Sequence, residues 1–318
     1  MMIPTDSGFL ITGGCGFIGT NLLLELVKGG FSRIVVADKL CRWRAGKPPE
    51  GVEFLKLDIL SPEFERVMGT VKPSIVVHLA ALHYIPYCNE HPEEAWRTNV
   101  DGTQAVLDAA VANGAERFFL ASTAAVYKSS LTPHVETDSL GAMDTYGLCK
   151  IRNEQQVQEA ASRSGCRFAV GRIFNVVGAY ETNPHLIPEI LERLKVSRRI
   201  EVGNLESKRD YVHAGDVARG IVRMVSGIGD SVDTCNLGTG RAWSPVEVVK
   251  VLSAILGESI ECVSSPQHQR AVDRPMLAAD NSRMRHRYGW QPRESLEQAL
   301  RDALAHPRAK EKDHDKAM

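Results

Sequence analysis

At 318 residues the chain is long for one core, and it suits one large α/β domain or two unequal ones. Hydrophobic content of 43% and charged content of 24% are ordinary for a folded protein, and a net charge of -1 gives no reason to expect nucleic acid or an acidic membrane surface as partner. No apolar run approaches the roughly 18 residues of a membrane helix, and the seven scattered cysteines form no C-x-x-C pair, so they read as thiols of a reducing compartment, not a disulfide frame or zinc site. The expected location is the cytoplasm, with no metal and no membrane partner. The apolar stretch near the N-terminus breaks into glycines and reads as a strand and turn, not a signal peptide.

From Phe9 to Phe174 short β-rich runs alternate with helical stretches. "FLIT" (9–12), "RIVVAD" (33–38), "VEFLKLD" (52–58), "SIVVHLAA" (74–81), "RFFLAS" (117–122) and "RFAVGRIF" (167–174) are the strand candidates. Their near-continuous Val, Ile, Leu and Phe suit strands covered on both faces. The clearest helical pattern is "PEEAWRTNVDGTQAVLDAAVANG" (92–114), whose apolar residues Trp96, Val100, Leu107, Ala110 and Val111 predict one buried stripe. Strand and helix alternating in this way imply a Rossmann-type doubly wound parallel sheet, an α/β fold.

Beyond "RIFNVVGAY" the rhythm changes. "HLIPEILERL" reads as a helix, "DYVHAGDVARGIVRMV" turns into one, and "DTCNLGTG" reads as a returning strand with a glycine turn. "SPVEVVKVLSAILG" carries helix punctuation at both ends, Ser-Pro with an early Glu247 and a terminal Gly257. The expected division is a nucleotide-binding domain of 1–174 plus 210–240, a smaller interleaved C-terminal substrate lobe of 175–209 plus 241–306, and a disordered tail at 307–318.

"FLITGGCGFIG" is a strand running into a glycine turn and then a helix. It fits G-x-G-x-x-G through Gly14, Gly16 and Gly19, and G-x-x-G-x-x-G through Gly13, Gly16 and Gly19. Such a turn brings backbone N–H groups to a pyrophosphate at the helix N-terminus. An acid, Asp38, closes the next strand, where a carboxylate accepts from ribose hydroxyls and repels a 2′-phosphate. NAD is favoured over NADP, against the counter-signal of the nearby basic Lys39, Arg42 and Arg44.

Ten segments in chain order now resemble one family: "TGGCGFIG", "LDI" (57–59), "HLAA" (78–81), "TNVDGT" (98–103), "ASTAAVY" (121–127), "YGLCK" (146–150), "RIFNVVG" (172–178), "RDYVHAGDVA" (209–218), "CNLGTG" (235–240) and "RAVDRPMLAAD" (270–280). Together they resemble the extended short-chain dehydrogenase/reductase family, in its nucleotide-sugar epimerase/dehydratase branch. The resemblance implies that Gly13, Gly16, Phe17, Ile18, Asp38 and Lys39 hold the NAD. It also implies that Asp58 and Ile59 flank its adenine, while Leu79, Ala80, Ala81 and Asn99 line its pocket. His83, Asn175, His185, Leu186, Arg209, Arg270 and Asp273 are implied for the substrate, the arginines because a planar fork pairs phosphate oxygens. His78 and His213 are expected to be scaffold residues.

Tyr146 and Lys150 are four apart and share a helix face. With Thr123 they match the family's catalytic set: tyrosine as base toward a sugar hydroxyl, lysine and the nicotinamide charge as its electrostatic support, threonine as the orienting hydroxyl. A free tyrosine has a pKa near 10, about three units above neutrality, so phenolate must be favoured by roughly 4 kcal/mol. Lys150 and the nicotinamide are expected to supply this. Dehydratases and decarboxylases of the branch carry acids just after the threonine; here stand Ala124 and Ala125, which cannot move a proton.

The resemblance therefore implies a C4 epimerase of a nucleotide-diphosphate sugar, with a dehydratase, dehydrogenase or reductase, or a non-catalytic NAD-binding protein, as alternatives. Arg270 and Asp273 resemble UDP-sugar epimerases, whereas "GNLESKRDY" (203–211) resembles GDP-hexose enzymes, so a UDP- or GDP-linked sugar is expected. Leu277 sits where several epimerases limit sugar size, and Lys128 and the short loop 180–185 depart from the family. A homodimer, paired through the helix of Tyr146 and the one near 95–113, is expected.

Overall fold

The computed structural model describes residues 3–40, 48–181, 184–268 and 274–306. In chain order it runs β1 (Phe9–Thr12), α1 (Phe17–Lys28), β2 (Ile34–Asp38), β3 (Val52–Lys56), α2 (Pro62–Val71), β4 (Ile75–His78), α3 (Ile85–Glu90) and α4 (Pro92–Trp96). A π-helical turn, Arg97–Asp101, leads into α5 (Gly102–Ala112), then β5 (Arg117–Thr123), α6 (Thr145–Ser162), β6 (Arg167–Ile173) and β7 (Asn175–Val177). The rest comprises α7 (Leu186–Leu194), β8 (Arg199–Val202), β9 (Lys208–His213), α8 (Ala214–Gly227), β10 (Val232–Leu237) and β11 (Ala242–Trp243). It closes with α9 (Pro245–Leu256), β12 (Glu261–Ser264), β13 (Met276–Leu277), α10 (Ser282–Tyr288) and α11 (Leu296–Ala305).

Seven strands form one parallel sheet in the order β10-β6-β5-β4-β1-β2-β3. All six predicted strands lie in it, and "DTCNL" returns as β10 beside β6. The apolar runs are buried because helices cover both faces. On one side Phe9, Ile11, Val36 and Phe119 pack against α1 and α8, with Met284 and Trp290 closing the layer. On the other, Leu10, Val76, Phe118 and Phe168 pack against α2, α5 and α6. Full burial of such a side chain stabilises by about 1.5–3 kcal/mol. The strand order reverses between β1 and β4, which opens a crevice at their carboxyl ends.

The segment after β6 builds a second core from Val177, Ile187, Ile190, Ile200, Val248, Leu252 and Leu300. Its small sheets pair β8 with β12 and β9 with β7, β11 and β13. The predicted punctuation of α9 is present: Ser244 and Glu247 form a reciprocal capping box, and Gly257 ends the helix at φ +68°.

One helix differs from its prediction. Residues 92–114 are broken by the π-helical turn at Arg97–Asp101, which rotates the preceding residues, and Trp96 is 45% exposed rather than in the buried stripe. The period-3.6 pattern assumed one uninterrupted helix; the extra residue in the turn shifts its phase.

Candidate active site

The crevice is built from two loops that touch. After β1 the backbone turns through Gly13 at φ +71°, and a Cβ there would lie 2.6 Å from Ala80 N and 2.9 Å from Leu79 C. Only glycine serves, since both the dihedral and the neighbouring backbone exclude a side chain. α1 then starts from Gly16 with no side-chain cap, so its first N–H groups face the crevice mouth as an anion cradle, flanked by Phe17 and Ile18. Asp38, at the end of β2, accepts from Cys15 N–H at 3.0 Å and Leu40 N–H at 2.9 Å, which fixes its carboxylate beside the glycine turn; Lys39 follows it. Uncapped helix, glycine cradle and adjoining carboxylate fit a dinucleotide with an unphosphorylated ribose.

The opposite wall, Leu79 to Ala81, is held by a buried relay. Thr103 Oγ1–H donates to Asn99 O at 2.6 Å, which leaves its oxygen to accept from His78 Nε2–H at 2.9 Å. Thr12 Oγ1–H then donates to His78 Nδ1 at 2.7 Å, and the same oxygen accepts from Ala80 N–H at 3.4 Å. Burial, and after it the charge of Lys150, push the His78 pKa down to about 3, so the ring is neutral. Asn99 lies within this scaffold: its amide exchanges two 2.8 Å bonds with the backbone of Leu82 and is fully buried. It shapes the wall instead of presenting an amide to the crevice. Of the pair expected near adenine, Asp58 is exposed and accepts from Leu60 N–H, whereas the Ile59 side chain is buried in the core.

Thr123 ends β5, and its Oγ1 accepts from Ala125 N–H at 3.2 Å across a 3-10 turn, Ala124–Val126. α6 begins beyond it with Asp144 as cap, accepting from Gly147 N–H at 2.8 Å. Tyr146 therefore sits in the first turn and Lys150 one turn deeper. The glycine between them has a steric cause: a Cβ on Gly147 would meet Ala142 Cβ at 2.7 Å and Ala125 O at 2.9 Å. The helix start can thus press on the Thr123 turn, which brings the Thr123 hydroxyl close enough to Tyr146 to favour its phenolate.

The electrostatics refine the expectation. The Tyr146 pKa is raised, chiefly by burial and further by Cys88, Asp144 and Cys149, with the Thr123 bond the opposing influence. Lys150 is 2% exposed, its Nζ is 5.7 Å from the Tyr146 ring centroid, and burial pulls its pKa down to about 8. Within the protein alone desolvation wins over the opposing Thr123 influence, and Tyr146 is a neutral phenol.

The described residues expected to hold the substrate fall into two groups. His83 is exposed after β4, His185 caps α7 ahead of Leu186, and their ring centroids are 6.5 Å apart, so the β4 loop meets the start of α7. Asn175 opens β7, which pairs with β9, the strand that carries Arg209. Arg209 donates to the carbonyls of Lys208 and Arg274 at 2.9 and 2.8 Å. Arg270 and Asp273, like Arg42 and Arg44, lie outside the described residues. His213 has the scaffold place expected, capping α8 by accepting Gly215 N–H and bonding Asp302 at 2.9 Å. Gly147, Asp144 and Arg274 were not singled out from the sequence; the G after Tyr and the D two before it were visible, but their reason is a contact between distant segments.

Fold and site define an α/β dinucleotide-binding protein with a threonine, tyrosine and lysine set at the crevice. The model of the NAD dependent epimerase/dehydratase family matches residues 9–238, and the chain belongs to that family. It is 30% identical over 302 residues to the UDP-glucose 4-epimerase of Streptomyces lividans, with 89% of this chain and 91% of that one covered. The UDP-glucose 4-epimerase of Stenotrophomonas maltophila, solved with NAD and formylated UDP-arabinopyranose, superposes with a TM-score of 0.87 at 28% identity, covering 95% and 98%. That of Thermotoga maritima, solved with UDP-glucose, gives 0.84 at 27%, covering 94% and 98%.

Proposed function

We propose that this chain is an NAD-dependent epimerase that inverts C4 of a UDP-linked sugar. The observation that carries the proposal is the Thr123–Tyr146–Lys150 set beside a dinucleotide cradle, followed by two alanines where an eliminating enzyme needs an acid. Ala124 and Ala125 are 2% and 8% exposed and hold no proton to give. NAD, when bound, supplies a hydride acceptor and a positive charge. The chain supplies the proton chemistry: Tyr146 Oη takes the C4 hydroxyl proton and later returns it, while Thr123 Oγ1 orients the reacting oxygen. The buried Lys150 is cationic below about pH 8 and adds to the field that favours phenolate.

UDP is favoured over GDP because the relatives named above act on or bind UDP-sugars. His83, Asn175, His185, Leu186 and Arg209 are proposed to hold that substrate, with Arg270 and Asp273 completing the set. A homodimer and a cytoplasmic location belong to the same proposal. Supporting the dimer, Trp96 and Leu148 are 45% and 52% exposed on α4 and α6, which pack together. Supporting the location, no described helix is long and apolar enough to cross a membrane, and no disulfide joins the described cysteines.

Proton NMR of the protein with NAD and UDP-glucose, UDP-N-acetylglucosamine, UDP-glucuronate or GDP-mannose in turn tests the proposal. The expected result is a C4 epimer of one UDP-sugar without NADH accumulating. Stoichiometric NADH, or turnover of the GDP-sugar alone, would replace it.

A further inference from the structure

Arg274 is a buried cation, 8% exposed, at the junction of three parts of the site. Its Nη1 donates to Ala124 O at 3.3 Å and its Nη2 to Ala125 O at 2.9 Å. Those carbonyls belong to the turn whose Ala125 N–H bonds Thr123 Oγ1, and Ala125 O is also the atom against which the start of α6 rests at Gly147. On its other side the carbonyl of Arg274 accepts from Arg209 Nη1 at 2.8 Å. The strand that follows, β13, pairs Leu277 with Arg209 and Met276 with Lys208. The charges acting on the guanidinium include Asp144, the cap of α6, and Arg209.

We propose that Arg274 is a positioning residue that couples the nucleotide-diphosphate end of the site, through Arg209, to the Thr123 turn and hence to Tyr146. A shift of Arg209 toward a diphosphate pulls on the Arg274 backbone. A planar guanidinium bonded to two successive carbonyls passes that motion to the turn as a rigid plate. A desolvated cation so placed retains its attachment, because releasing either carbonyl leaves a buried group unpaired. The inference rests on the proposed role of Arg209 at the diphosphate.

The test reads Tyr146 directly and needs no turnover. Its phenol faces Thr123 from β5, Cys88 from α3, and Asp144, Cys149 and Lys150 from α6. In the NAD-bound protein, the 295 nm absorbance change with pH, less that of Tyr146→Phe, reports its ionisation. UDP is expected to shift this transition by about half a pH unit or more, roughly a threefold change in phenolate at fixed pH. In Arg274→Met the shift is expected to vanish while UDP affinity, by calorimetry, stays within about threefold, and Arg274→Lys is expected to restore part of it. An unchanged shift in Arg274→Met, no shift in the parent protein, or loss of UDP affinity in Arg274→Met would each overturn the proposal. Arg209→Met separates the underlying reading: if it binds UDP as the parent does, Arg209 does not hold the diphosphate, whatever Arg274 does.

Discussion

Tyr146 carries the proposed reaction at its oxygen, and the phenylalanine variant deletes that oxygen alone. General acid–base groups contribute about 10²–10⁴ in rate, so Tyr146→Phe is expected to lower kcat by that much. NAD binding, followed by quenching of intrinsic fluorescence, should stay within a few-fold of the parent. A variant that turns over normally would mean that another group moves the proton. Lys150 gives the converse case, a residue expected to cost stability where it would serve the proposed reaction. Its pKa falls from the ordinary 10.5 to about 8 because burial disfavours the charged form. The unfolded chain therefore binds more protons than the folded one between about pH 8 and 10.5. The burden is complete below about pH 8 and is lifted as pH rises to 10.5. The shift corresponds to about 3 kcal/mol. Lys150→Met should unfold at higher urea than the parent at pH 7, by up to that amount, with the gap closing toward pH 10.5. A variant less stable at pH 7 would show that the lysine's contacts outweigh its desolvation.

At the scale of elements, α6 is fixed at its start and at its middle. Asp144 and Asn89 secure its start, the latter accepting from Thr145 N–H at 3.0 Å. Two turns deeper than Tyr146, Glu154 takes a bidentate Arg172 at 3.0 and 2.7 Å and a Ser122 hydroxyl at 2.5 Å. That pair clamps α6 to β5 and β6, so the Tyr146 face cannot rotate away from Thr123. Replacing Glu154 by Gln leaves the Arg172 charge uncompensated in the interior, and removing one partner of such a pair costs about 3–5 kcal/mol. Urea unfolding at pH 7 should show a loss in that range, and a loss under about 1 kcal/mol would mean that Arg172 finds other acceptors. Much of this architecture was legible: the strands in their apolar runs, the glycine turn before a helix, the capping box of α9. What was not legible arises between segments. No periodicity announces a π-helical turn at Arg97–Asp101, and no spacing shows that His78 bridges Thr12 and Thr103, or that Arg274 reaches back to Ala124. Resemblance named the Thr123, Tyr146 and Lys150 set, but not the direction in which burial would move their pKa values.

For the whole molecule, two exposed apolar side chains on a pair of packed helices raise the question of a partner. Leu148 lies on α6 two residues beyond Tyr146, facing outward while Lys150 faces in, and Trp96 is exposed on α4, a helix that packs against α6. Both helices also carry site structure, since α4 leads into the turn holding Asn99. A second copy that covered this surface would support α6 from outside as Glu154 supports it from inside. Leu148→Lys places a charge at the centre of that contact, where an unpaired desolvated charge is strongly unfavourable. The parent is therefore expected to sediment as a dimer at micromolar concentration and the variant as a monomer. The variant should keep its far-UV spectrum and lose part of its kcat, because α6 then lacks its outer support. A monomeric parent would remove the homodimer from the proposal, whereas a dimeric Leu148→Lys would move the interface elsewhere on the surface.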